Sequence, residues 1–133
     1  MNIDVPYGIT RRLRGVTLDD ARARTTKALQ DEGFGILTEI DVQATLKKKL
    51  DVETAPYVIL GACNPKLAHA ALTEEPGIGL LLPCNVVLAG DGADVLVSAA
   101  SPKAMFSVVK ESAGIAAIAA DAEQRLRRAI EQV

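Results

Sequence analysis

The sequence predicts an α+β two-layer sandwich, a mostly antiparallel sheet with helices packed largely on one face, in the order β-α-β-α-β-α-β-β-α. Three observations carry this expectation. Apolar residues recur at helical spacing in several separate stretches, strand-like apolar runs lie between them, and Gly90-Asp91-Gly92 joins two of those runs with a hairpin signal. An α/β sandwich with helices on both faces is the alternative. The chain has 133 residues, so 1–133 reads as a single domain at ~100–200 residues per domain.

Each element has its own local reason. Tyr7 to Arg14 reads as a first strand. Thr17 then offers an N-cap, Asp19 and Asp20 suit the first helical turn, and Leu18, Ala21, Thr25, Ala28 and Leu29 form the stripe. Gly33 is placed to end that helix in the left-handed conformation. In the strand that follows, Phe34, Ile36, Thr38 and Ile40 share one face and Leu37 takes the other. Asp41 caps a short helix with Val42, Leu46 and Leu50 as its stripe and Lys47, Lys48 and Lys49 at its basic end. Tyr57 to Ala62 is a continuous apolar run, which reads as an interior strand covered on both faces.

Asn64-Pro65 opens a third helix, with Leu67, Ala68, Ala71 and Leu72 as its stripe and Pro76-Gly77 as its end. The greasy stretch Ile78 to Gly90 reads as buried strand, with Cys84–Ala89 and Ala93–Ala99 as the two arms of the hairpin. Met105 to Lys110 suggests a further short helix. The last helix carries Ile118, Ala122, Leu126, Ala129, Ile130 and Val133 on one face, with Asp121–Arg125 and Glu123–Arg127 as i,i+4 pairs.

Composition excludes several classes of function. The formal net charge of -2 lacks the positive field that carries nucleic-acid affinity, and 3% aromatics give no base-stacking platform. One histidine and two cysteines exclude a multi-histidine metal site within one chain and a disulfide scaffold. No apolar run is long enough to span a bilayer, and Met1 to Pro6 lacks the pattern of a secretory signal. A cytoplasmic location, with no membrane and no nucleic-acid partner, is therefore expected. No metal or cofactor is called for.

Chemistry concentrates at two Cys-Asn pairs. Cys63 stands where an interior strand ends, one residue before the Asn64 helix cap, where a helix dipole favours a thiolate. Cys84 opens an apolar strand and is followed by Asn85. If the two pairs meet in space they form a redox pair, a thiol pocket or a soft-metal site shared between subunits. Buried cysteines also serve as small hydrophobes, and that reading stands beside the first. His69 lies on the same helix as Asn64, where a Cys–His relay competes with an ordinary surface histidine. Glu39 and Asp41 point the same way along their strand, yet Asp41 already has a capping role. Gly77-Ile78-Gly79 lacks the pattern of a phosphate loop.

The stretches Tyr57–Pro65 and Gly79–Val87, with Gly33–Asp41, resemble a bacterial and archaeal family known as domain-of-unknown-function family 302. The resemblance covers most of the chain. It implies a small α+β fold and a homo-oligomer, a dimer first, and it supplies no reaction. Glu39, Asp41, Cys63, Asn64, Pro65, Pro83, Cys84 and Asn85 map onto its motifs. Two functions follow as expectations. One is small-molecule or thiol-ligand binding, or a redox role, centred on Cys63, Asn64, Cys84 and Asn85 with His69 nearby. The other is a non-catalytic, self-associating module that keeps the cysteines as core and uses a sheet edge or the Lys47–Lys49 helix as its interface.

Overall fold

The computed structural model describes residues 2–110 and 112–133. Strands β1 (Gly8–Leu13), β2 (Gly35–Asp41), β3 (Tyr57–Cys63), β4 (Cys84–Asp91) and β5 (Asp94–Ala100) form one sheet in the order β1-β5-β4-β3-β2. Every neighbouring pair is antiparallel. The helices are α1 (Leu18–Asp31), α2 (Val42–Leu50), α3 (Pro65–Glu74), α4 (Pro102–Phe106) and α5 (Ala113–Gln132). The fold is therefore the α+β sandwich expected, with α1 and α5 against one sheet face and α3 and α4 packed on α5.

The caps behave as local chemistry dictates. The side chains of Thr17, Asp41 and Asn64 accept hydrogen bonds from the N–H groups of Asp20, Ala44 and Leu67. Gly33 takes φ +86° beyond the end of α1. The carbonyls at the end of α5 are held by Arg11, whose Nη1 donates to Glu131 O at 2.7 Å and Val133 O at 2.8 Å. At the hairpin, the turn residues are Gly92 and Ala93 rather than the Gly90-Asp91-Gly92 triplet, because Asp91 still pairs with Asp94. Positive φ at Gly92 alone fits a II′ turn. Arg12 bridges Asp91 and Asp94 at 2.9 and 3.1 Å. The Gly15 N–H, and then Arg12, hold the Asp94 carboxyl below the usual carboxylate range.

Several expectations are corrected. The alternation in β2 breaks at Leu37: Ile36 pairs with Ala62 and Thr38 with Gly61, so Leu37 is the extra residue of a bulge. Ile36 therefore packs on the core, while Thr38 and Ile40 face away from it. The α2 stripe is not buried, and Leu50 is exposed. Strand β3 is interior but closely covered on one face only, with Tyr57 and Ile59 half-buried on the other. Residues Pro76–Leu81 form a 3-10 turn instead of strand, and β4 starts only at Cys84. The short helix expected over 105–110 lies earlier, at Pro102–Phe106, because Ser101 caps it and Pro102 opens it.

Two hydrophobic clusters result. The larger lies between the sheet and α1 and α5, and includes Leu29, Phe34, Leu60, Leu88, Val97 and Leu126. Each such side chain contributes about 1.5–3 kcal/mol through burial. The smaller gathers Ala71, Ile78, Phe106, Ile115 and Ala119 beneath α3, α4 and the 3-10 turn. Glu123 ties α5 to α4: its buried carboxylate accepts from Ser101 Oγ at 2.6 Å and Lys103 N at 3.3 Å, and pairs with Arg127 at 2.8 Å.

The sequence suggests that Gly61 admits a ligand or a second backbone. The structure shows why a glycine is needed: a Cβ there would overlap the Thr38 hydroxyl and stand 2.9 Å from Pro83 Cγ. Gly61→Ala should lower stability by about 1–3 kcal/mol through overpacking. Thr38→Ala on the same chain should restore part of it, as read by urea unfolding. Equal stability of Gly61→Ala and the parent would contradict this packing.

Candidate functional site: a cavity between the two core clusters

The two clusters do not meet completely. Between them lies a cavity of about 280 Å³, bounded by the ends of β3 and β4, by α3 and by α5. Phe34, Ala62 and Cys84 from the larger cluster form one side, and Ala71 and Phe106 from the smaller cluster form the other. Its existence follows from side-chain size. The α3 stripe turns Ala68 and Ala71 toward the gap, and α5 presents Ala122, so chains that would fill it in a tighter core are missing. Leu37, placed there by the β2 bulge, and Leu72 form the mouth, and they stay 67% and 41% exposed. Among the described residues no charged side chain lines the cavity.

A family model, domain of unknown function DUF302, matches residues 9–133. The chain belongs to this family. Among solved structures it is similar to an uncharacterized conserved protein DUF302 from Bacillus stearothermophilus. The TM-score is 0.87 at 27% identity, over 96% of this chain and 98% of that one. No curated protein matches the chain.

In this DUF302 protein the Cys-Asn motifs meet only in part. Cys63, Asn64 and Cys84 all line the cavity. Ala62 pairs with Cys84 across β3 and β4, so Cys63, the next residue at the very end of β3, stands beside that pair, near enough to act on Cys84, and both thiols are free. Asn85 goes elsewhere. Strand alternation turns it to the opposite sheet face, where it borders a groove with Tyr57, Val87, Ser98 and the segment 2–8. His69 is exposed on α3 and is not part of the cavity wall. Glu39 forms an ion pair with Arg22 at 2.8 Å, and Asp41 caps α2, so both carboxylates are engaged structurally. Lys47 is held by Asp51 at 2.7 Å and Glu53 at 2.8 Å. Among the described residues, no group of three or more His, Cys, Asp or Glu converges as metal ligands would.

The residues that sequence reasoning missed are apolar: Phe34, Leu37, Leu82, Phe106, Ile118 and Ala122. The one hint of space beside them is the alternation of Leu with Ala along α3, a pattern that suits an ordinary core stripe equally well. A second, larger basin of about 510 Å³ shares Phe106 and opens between α4 and α5, with the exposed Lys103, Ser107 and Lys110 at its rim. It holds neither cysteine.

The two thiols differ chemically. Cys63 is half-buried at the cavity wall. Cys84 is 7% exposed, and burial, with the neighbouring Cys63 adding to it, pushes its thiol from 9.0 up to about 11. At neutral pH Cys84 is a protonated, apolar wall. The raised value also makes stability depend on pH. Below the unfolded value both states keep the proton. Between pH 9 and 11 the unfolded chain releases it and the folded chain does not, so stability falls by about 2–3 kcal/mol across that window. Cys84→Ala should lose less stability than the parent between pH 9 and 11, measured by urea unfolding at each pH. Parallel losses in the two proteins would contradict the burial of this thiol.

Proposed function

We propose that the protein binds a small molecule in the cavity between α3, α5 and the ends of β3 and β4, with Cys63 as the thiol that the ligand meets. One observation carries the reading: Cys63, Asn64 and Cys84, from separate parts of the sequence, wall one apolar space with an exposed leucine mouth. Small-molecule sites are typically concave, mostly apolar and supplied with a few polar groups. At about 280 Å³ the space suits a small ligand, since an engineered cavity of ~150 Å³ already takes up benzene. The protonated Cys84 supports binding rather than acid–base chemistry at the inner wall.

The test uses propylbenzene as a probe, followed by amide chemical shifts and by the rate of Cys63 alkylation. Shifts should concentrate near Phe34, Ala68, Ala71 and Cys84. The probe should slow modification of Cys63 by iodoacetamide several-fold. Ala68→Phe, which places a ring in the space, should abolish both effects while keeping stability within about 1 kcal/mol. Shifts scattered over the surface, or binding that survives Ala68→Phe, would contradict the reading.

A second reading, a self-associating module, draws on β2. It is an edge strand whose outer side is unpaired among the described residues, and Leu37 and Ile40 are both exposed on it. On this reading sedimentation equilibrium shows a dimer that Ile40→Lys converts to monomer. A parent protein that is monomeric at high concentration would remove it.

A further inference from the structure

We infer that the cavity selects an uncharged ligand with an apolar body and a single hydrogen-bond acceptor, which the Asn64 side-chain Nδ2 receives. The inference rests on the cavity-binding reading and names its ligand class. Three observations carry it.

The first is the absence of charge. No charged side chain among the described residues lines the cavity, so a carboxylate, phosphate or ammonium drawn into its apolar interior would give up water for no countercharge. The second is the state of the Asn64 amide. Its Oδ1 accepts the Leu67 N–H at 3.2 Å as the cap of α3. That bond fixes which end of the amide is oxygen, a choice that the hydrogen-bond network must make. The –NH₂ end therefore points away from the helix, and no hydrogen bond joins Nδ2 to any described residue. The third is the room made for it. Nδ2 stands 2.9 Å from the point a Cβ on Gly33 would occupy, and Gly33 precedes Phe34, which lines the cavity. A side chain at position 33 would displace the amide. The other polar groups from side chains in the wall are the two thiols, which are weak donors. Asn64 is thus the strongest side-chain donor the wall offers. A ketone, aldehyde, ester or ether of roughly ten heavy atoms matches both the space and the donor.

The experiment measures binding of four probes to the full chain by calorimetry at pH 7: 2-octanone, octanoate, octylammonium and propylbenzene. The ketone should bind at least tenfold more tightly than either charged chain. Asn64→Ser keeps an N-capping side chain and removes the amide donor. It should weaken 2-octanone about fivefold and leave propylbenzene unchanged. Asn64→Asp, which also caps, should weaken the ketone in the same way, so the result does not hang on one variant. Thermal melts confirm that both variants fold. Octanoate binding as tightly as the ketone would overturn the inference while leaving cavity binding intact. So would Asn64→Ser and Asn64→Asp binding the ketone like the parent. If propylbenzene also fails to bind the parent, the cavity-binding reading and this inference fall together.

Discussion

Burial of one sheet face under α1 and α5 sets the position of everything else in this molecule. The antiparallel order β1-β5-β4-β3-β2 offers one face to both helices, and Leu29 and Leu126 fill the space between. Over β1, β5 and the middle of β4 the fit is close. Toward the ends of β3 and β4 it is not, because α3 packs on α5 and on the 3-10 turn rather than closely on the sheet. Its inward residues there, Ala68 and Ala71, are too short to close the distance. The second cluster, around Ile78 and Phe106, seals the far side. The cavity is what remains between two well-packed regions.

Polar groups are arranged around that gap with little redundancy. Asn64 caps α3 with one end of its amide and leaves the other end free beside Gly33. Cys84 is buried deeply enough to stay protonated far above neutral pH, while Cys63, one register step away, keeps access to solvent. The charged side chains lie elsewhere, and several are engaged there. Glu123 fastens α4 to α5, Arg12 fastens the hairpin, and Glu39 meets Arg22. An apolar interior edged by weak or single-ended donors discriminates by charge before it discriminates by shape.

Much of the fold was legible because its signals are local. A cap acts on a residue three positions away, so Thr17, Asp41 and Asn64 could be read directly. The amphipathic stripe of α5 and its Glu123–Arg127 pair were visible for the same reason. What escaped depends on tertiary fit. The bulge at Leu37 is set by the register of β2 on β3, and no spacing within residues 34–40 reveals it. The apolar run 78–90 contains a 3-10 turn before the strand, and hydrophobicity does not distinguish the two. At the site, the nearness of Cys63 and Cys84 follows from the pairing of β3 with β4, whereas strand alternation sends Asn85 away from its neighbour. An Ala-rich stripe looks the same whether it meets a filled core or a void.

On this view the void is an apolar space that a small molecule can enter. Xenon pressurisation of a crystal tests it most directly, because xenon enters dry apolar cavities of this kind and needs no specific contact. A strong xenon site is expected between α3 and the ends of β3 and β4, in contact with Phe34, Ala68 and Cys84. A crystal with no xenon there, its space closed by Leu67 or Leu72 turned inward, would contradict it.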